Sequence, residues 1–358
     1  MNQAFWQGKR VLVTGHTGFK GSYLCLWLQD MGAHVVGYAL APPTEPSLFS
    51  AAQVADGMTS VLGDIRDLAH LQAVVAEHEP EIILHLAAQA LVRPSYAAPV
   101  ETFSTNVMGT VHVLEAARLS KSVNVVVNVT SDKCYANREW VWGYRENEAM
   151  GGHDPYSSSK GCAELVTAAY RASYWSQDGR VQLGSARAGN VIGGGDWAKD
   201  RLLPDLLAAL SRGEPAVIRN PASVRPWQHV LEPLSGYLLL AERLWTDGAA
   251  FADGWNFGPS ADDVQPVRWI ADHVTALWGG GARWQTTGEA QLHEARLLTL
   301  DSAKARDALP WRPRWTLDQA LRHTVQWQQA FLRGEPMRAV TLSQIYAYTA
   351  TGLPQAAH

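Results

Sequence analysis

Between Val125 and Trp140 the chain reads VVVNVTSDKCYANREW. A run suited to a buried strand stops at Thr130, and a hydroxyl, a carboxylate and an ammonium follow in succession: Ser131, Asp132 and Lys133. In a cleft such a triplet can donate, accept and pass on protons; on a surface loop it is an ordinary ion pair beside a serine. Farther on, DPYSSSKGCAELV sets Tyr156 and Lys160 four residues apart at the start of an expected helix, which stacks them on one face. A phenol works as a base near neutrality only with a depressed pKa, and a neighbouring ammonium favours the phenolate. The spacing therefore expects Lys160 to activate Tyr156, with Ser131 bonding the substrate hydroxyl that Tyr156 deprotonates. A Tyr-x-x-x-Lys spacing is common, so its weight rests on the elements around it.

Those elements alternate. Apolar runs at 10–15, 34–40, 60–64, 81–88, 124–131 and 181–190 read as strands, and periodic segments such as KGSYLCLWLQDMG and LAHLQAVVAEHEP separate them. The runs are continuously apolar, which suits a parallel sheet covered on both faces. Strand–helix alternation predicts an α/β fold of Rossmann type, with a doubly wound parallel sheet. Beyond residue 190 Gly, Pro, Arg and Trp become frequent, as in GGGDWAKDR and RNPASVRPWQHV. We expect a dinucleotide-binding domain over 1–190 and a smaller mixed α/β substrate domain over 191–358, with a segment near 226–260 returning to the first domain.

The first strand runs into VLVTGHTGFKGSYLCLWL, which places Gly15, Gly18 and Gly21 at a strand–helix turn. Glycine permits the tight turn and the close approach of a pyrophosphate, and the helix start offers unpaired N–H groups. The whole turn, with His16, Thr17, Phe19 and Lys20, is expected to cradle the dinucleotide. Lys20 faces either pyrophosphate or solvent. The second strand ends GYALAPPTEP, without the acid that usually bonds the adenosine ribose, and no Lys or Arg lies between His34 and Ile65 to meet a 2′-phosphate. NAD is favoured, with modest affinity. Asp64 and Ile65 flank the adenine in this reading. Leu86, Ala87 and Ala88 pass under the nicotinamide ribose, and Gln89 and Arg93 lie at the sheet edge near the substrate.

Composition excludes several classes. The 358 residues carry a net charge of −4, so no global field draws the chain to nucleic acid or a membrane. The three cysteines are widely spaced and the histidines form no metal-ligand pair, so neither a disulfide framework nor a metal site is expected. The start, MNQAFWQGKR, lacks an apolar core, and cytoplasmic localisation is the expectation.

Taken together, the glycine turn, HLAAQ, TNVMGT, Tyr156-x-x-x-Lys160 and RAGNV resemble the extended short-chain dehydrogenase/reductase family over nearly the whole chain. Within it, nucleotide-sugar 4,6-dehydratases carry Thr-Asp-Glu where this chain has Ser131-Asp132-Lys133. That departure, with SDKCY, NREWVWGYREN, RAGNVIGGGDWAKDR and RPWQHVLEPLSGY, is similar to the branch acting on CDP-glucose. The resemblance implies transient oxidation at C4 of the sugar, removal of the C5 proton by Lys133, protonation of the departing C6 hydroxyl by Asp132, and hydride return to C6. The two groups would share one proton and titrate as a pair.

The resemblance also implies substrate contacts. Asn190 matches an asparagine that bonds the diphosphate. Arg201, Arg225 and Arg296 match positions that hold phosphate or shape the nucleotide pocket, with Arg219 a further candidate, and forked guanidinium groups suit phosphate. Leu202, Ile218 and Asn256 match pocket-wall positions. Asn106 matches a buried family asparagine that lies near the cofactor or bonds backbone within its helix. CDP-glucose is the implied small-molecule substrate, and a homodimer, or a tetramer built from it, the implied assembly. A 4-epimerase would also use Tyr156, Lys160 and NAD but has no need of Asp132 and Lys133. A dehydratase of another nucleotide sugar, or a dinucleotide-binding protein without catalysis, is the other alternative.

Overall fold

The computed structural model describes residues 1–176, 179–286 and 297–351. Seven parallel strands form the central sheet: β1 (Arg10–Thr14), β2 (His34–Ala39), β3 (Thr59–Leu62), β4 (Ile82–His85), β5 (Val125–Val129), β6 (Gln182–Arg187) and β7 (Gly254–Asn256). Their order is β3-β2-β1-β4-β5-β6-β7, with every pairing parallel. The doubly wound sheet expected from alternation is present. β4 and β5 are buried at every position, as strands covered on both faces must be.

Helices cover both faces. On one side α1 (Phe19–Asp30) is buried from Gly21 to Leu28 and shares a core with α6 (Leu231–Asp247) and the C-terminal α9 (Met337–Ala350). On the other, α2 (Leu68–His78) and α3 (Gly109–Leu119) share a core with β3, β4 and β5. Between β5 and β6 runs α4 (Pro155–Tyr170), whose start is fixed chemically: Pro155 opens it, and the Asp154 carboxylate accepts from Ser157 N (2.9 Å) and Ser157 Oγ (2.6 Å). This cap sets where Tyr156 and Lys160 fall on the helix.

A separate apolar core holds α5 (Leu202–Ser211), α7 (Val267–Trp278) and α8 (Leu317–Leu332), packing Leu206, Leu210, Ile270, Val274 and Leu321 together beside short strands at 216–218 and 284–286. Residues 231–247 and 254–256 pack on or join the central sheet, so the second half of the chain helps build the core around that sheet.

The strands end earlier than their apolar runs. Residues 86–88, 130–131 and 188–190 have left the sheet, because their backbone lines a cleft at its carboxyl edge. Their polar groups find other partners: the amides of Leu86 and Ala87 both donate to Thr14 Oγ1 at 3.2 Å. The sheet order reverses between β1 and β4, and the crevice at such a switch point is where ligands bind in open α/β sheets.

Candidate active site

A cleft of about 2250 Å³ crosses this edge. A single small-molecule pocket takes roughly 300–1,000 Å³, so there is room for two ligands end to end. One wall carries the glycine turn. A Cβ on Gly15, whose φ is +77°, would lie 2.8 Å from the Ala87 nitrogen, and one on Gly21 would overlap the Gly15 carbonyl. The turn is thus closed down to bare backbone where α1 begins, a cradle that fits the pyrophosphate of a dinucleotide.

The residues of the opening reading line the same cleft, close enough to the glycine turn for Asp132 and Lys160 to act on the Lys20 charge. Ser131, Asp132, Lys133, Tyr156 and Lys160 all line the cleft, and all but Lys133 are buried. A short 3-10 turn holds the triplet: Ser131 Oγ accepts from Lys133 N at 3.2 Å and donates to Asp132 Oδ1 at 3.0 Å. The other carboxylate oxygen, Asp132 Oδ2, is buried with no protein partner among the described residues. Gly189, at the end of β6, makes the space it occupies, since a Cβ there would overlap the carboxylate.

The electrostatics differ from the spacing argument. Burial pushes the Tyr156 phenol up to about 12, with a hydrogen bond to Ser131 working the other way. Burial pulls Lys160 down to about 8, with the Glu164 carboxylate working against it. The ammonium of Lys160 lies 3.5 Å from the Val129 carbonyl, under the end of β5. Desolvation therefore outweighs the expected depression of the phenol, and the two groups are drawn toward neutral partners. Lys20 is also shut in: burial lowers it to about 7, the Arg201 charge lowers it further and Asp132 raises it. Its ammonium sits 5.9 Å from the Tyr237 ring, so of the two orientations left open it takes the one into the cleft.

Of the residues expected at the cofactor, Gly15, Thr17, Gly18, Phe19, Lys20, Gly21, Asp64, Ile65, Leu86, Ala87, Ala88 and Gln89 line the cleft. His16 does not: its ring is fully buried against Gly37 and its Nε2 lies 2.7 Å from Ser60 Oγ, and burial lowers its pKa to about 4. Only its backbone belongs to the turn. Asn106 is likewise behind the wall. Its amide spans the Gln89 backbone, accepting from Gln89 N (2.8 Å) and donating to Gln89 O (3.0 Å), and donates to Ser159 Oγ (2.8 Å), so it fixes the loop after β4. One arginine escaped the sequence argument by a single position: Arg66 lines the cleft, but it forks onto Asp64 (Nη2–Oδ2 2.5 Å), which neutralises it against a 2′-phosphate.

Of the expected substrate residues, Gln89, Arg93, Asn190, Arg201, Leu202, Ile218, Arg219 and Arg225 line the cleft. Asn190 adopts a left-handed φ of +47°, a conformation asparagine tolerates. Three of the arginines face acids: Arg201–Asp196 (3.0 Å), Arg219–Asp200 (3.1 Å) and Arg93–Asp200 (3.3 Å). Asn256 is not a wall residue. It is fully buried, accepts from Tyr135 Oη (2.8 Å) and donates to the Tyr144 and Asp301 carbonyls (2.8 and 3.1 Å). Arg296 lies outside the described residues. The sequence reading missed Gly189 and the pair Glu164–Arg187 beneath the triplet; the signal for Glu164 was its place one helical turn after Lys160.

A model of the GDP-mannose 4,6-dehydratase family matches residues 12–256. A CDP-glucose 4,6-dehydratase of Salmonella typhimurium is 56% identical over 352 residues, covering 97% of this chain and 98% of that one. A dTDP-glucose 4,6-dehydratase of Escherichia coli is 24% identical, covering 89% and 92%. Among solved structures, MoeE5 in complex with UDP-glucose and NAD superposes with a TM-score of 0.76 at 26% identity, covering 90% and 99%. A UDP-glucose 4-epimerase of Thermotoga maritima superposes with a TM-score of 0.79 at 22% identity, covering 90% and 99%. On the family match and the 56% relative together, the chain belongs to the GDP-mannose 4,6-dehydratase family.

Proposed function

We propose that this chain converts CDP-glucose to CDP-4-keto-6-deoxyglucose and water, as an NAD-dependent hydro-lyase. The observation that carries the reading is that Tyr156 and Lys160 share a two-ligand cleft with the Ser131-Asp132-Lys133 turn. An epimerase has use for the first pair alone. The Salmonella relative's substrate favours the cytidine nucleotide.

The glycine turn, Asp64, Ile65 and residues 86–89 would hold NAD, which supplies a hydride acceptor for C4 and the same hydride for C6. Tyr156 takes the C4 hydroxyl proton, and Ser131 bonds that hydroxyl and steadies the phenol. Lys160 stays beneath, where its partial loss of charge lets it take up or release a proton as the phenol changes state. The C4 ketone acidifies the C5 hydrogen, which Lys133 removes and then returns to C5 when C6 is reduced. Asp132 protonates the departing C6 hydroxyl; its Oδ2, free of protein partners, is the oxygen available for this. General acid and base groups so placed contribute about 10²–10⁴ each. Asn190, Arg201, Arg219 and Arg225 hold the diphosphate, with Asp196 and Asp200 giving up their arginines as it arrives.

The test is mass spectrometry of CDP-glucose incubated with the protein and NAD, with UDP-, dTDP- and GDP-sugars in parallel. Loss of one water from the CDP-sugar alone is expected. Loss from another nucleotide sugar would overturn the substrate and keep the mechanism. An unchanged mass with altered sugar stereochemistry by NMR would overturn the elimination.

We also propose a homodimer through helices 99–119 and 155–175. These pack against each other and leave Val100 (82% exposed), Met108, Leu119, Leu165 (61%) and Tyr174 uncovered. Charge at the centre of such a face opposes burial. Leu165→Glu should give a monomer by light scattering, and an unchanged dimer would refute this face. The three unpaired cysteines suit a reducing cytoplasm. No helix among the described residues is long and apolar enough to cross a membrane.

A further inference from the structure

Beneath the catalytic turn lies an ion pair that does not itself line the cleft. Glu164 of α4 and Arg187 of β6 meet at 2.9 Å, and their side chains are 4% and 6% exposed. Burial of two charges is costly, and their attraction offsets it only with good geometry and further hydrogen bonds. The geometry is good and four further hydrogen bonds follow, with Arg187 Nε the one polar atom of the pair that has no hydrogen-bond partner among the described residues. Glu164 Oε1 accepts from Thr130 Oγ1 (2.5 Å), and Oε2 accepts from Ser185 Oγ (2.7 Å) as well as Arg187 Nη2. Arg187 Nη1 donates to Tyr135 Oη (2.6 Å) and to the Glu146 carbonyl (3.0 Å). Tyr135 Oη in turn donates a hydrogen bond to Asn256 Oδ1 (2.8 Å). Space for the guanidinium exists because residue 254 is glycine: a Cβ there would overlap Arg187 Nη2.

The sequence positions of the partners give the pair its meaning. Thr130 immediately precedes Ser131-Asp132-Lys133, and Tyr135 follows it after one intervening residue, Cys134. Both ends of the turn are therefore tied to the same buried pair, one to the acid and one to the base. Glu164 also lies one turn beyond Lys160 and raises its pKa against burial.

We propose that Glu164 and Arg187 are positioning residues, a strut that fixes the catalytic turn from below and aligns it with Tyr156 and Lys160. The strut acts through Thr130 and Tyr135 and contacts neither substrate nor cofactor. The proposal rests on the dehydratase reading for its catalytic consequence but not for its structural one.

Two conservative variants cut one tie each. Thr130→Val removes the hydroxyl that binds the acid, and Tyr135→Phe removes the hydroxyl between Arg187 and Asn256. Each should lower kcat for water loss about tenfold while KM for CDP-glucose stays within twofold, and Thr130→Ser should recover wild-type kcat. Amide hydrogen exchange over residues 131–135, measured on the protein as isolated, should quicken about tenfold in both variants, with exchange in β1 and β4 unchanged. Wild-type kcat and wild-type exchange in both variants would overturn the strut. Faster exchange in a protein whose wild type dehydrates no nucleotide sugar would sustain the strut and overturn the reaction instead.

Discussion

Gly189→Ala isolates the placement of a single carboxylate. Gly189 stands at the end of β6, outside the left-handed region, so alanine introduces no backbone strain there. Its new Cβ, however, overlaps Asp132 Cγ and both carboxylate oxygens. Asp132 is 2% exposed and held from the other side by Ser131 Oγ, so it can yield only by leaving its position above β6. Ordinary carbon–oxygen contact requires the carboxylate to move by more than about 1 Å, and a displacement of that size among reacting groups costs about a hundredfold in rate. Loss of general acid catalysis is worth about 10²–10⁴, or roughly 3–5 kcal/mol on the elimination barrier. C4 oxidation depends on Tyr156, whereas the three atoms nearest the new methyl all belong to Asp132. The assay is a single turnover with CDP-glucose: NADH absorbance should rise and persist, while mass spectrometry shows water loss slowed at least a hundredfold. Asp132→Asn serves as reference, and Gly189→Ala should approach its rate. A kcat within threefold of wild type would refute the claim that Gly189 seats the acid. An equal fall in NADH formation would show that the methyl disturbs the whole cleft.

Lys133→Met should block water loss yet permit C4 oxidation, so that NADH accumulates in one turnover; unchanged dehydration would remove Lys133 from the mechanism. Added NAD should raise the activity of the purified enzyme, because no acid at the end of β2 bonds the adenosine ribose; full activity after exhaustive removal of the cofactor would refute the NAD assignment. His85 supplies a pH prediction. Buried between Thr14 and Thr110, it is lowered to about 3, first by burial and then by the Lys160 charge. The unfolded chain takes up this proton below about pH 6.5 and the folded chain does not, so the contribution is complete above 6.5 and declines as pH falls toward 3. By pH 5 the loss is about 2 kcal/mol. Urea unfolding at pH 7 and pH 5 should therefore show a loss about 2 kcal/mol smaller in His85→Gln than in wild type, and equal losses would contradict a neutral buried ring.

What the sequence discloses and what it hides divides along physical lines. Tyr156 and Lys160 were legible because one helical period places them together whatever surrounds the helix. The glycine turn was legible because bare backbone is required there and Gly15 and Gly21 have no substitute. The charge state of the pair was not legible. Adjacency names the partner, but the competing cost is desolvation, which only the assembled cleft determines, and it moves Tyr156 upward where the spacing argument moved it down. Asn256 and His16 show a second kind of loss. Position near a strand end places a residue at the sheet's carboxyl edge without saying whether it faces the cleft or the packing beneath it, and both face the packing. The Glu164–Arg187 pair shows a third. Parallel register sets Val129 beside Ala186, which brings Thr130 and Arg187 level, and no local pattern specifies that register. Yet one constraint was written in the chain. Glu164 continues the face that carries Tyr156 and Lys160, and that face points into the protein. A carboxylate there must either hold a proton, as burial drives Glu232 toward doing, or meet a cation from another element, and for Glu164 the cation is Arg187 of β6.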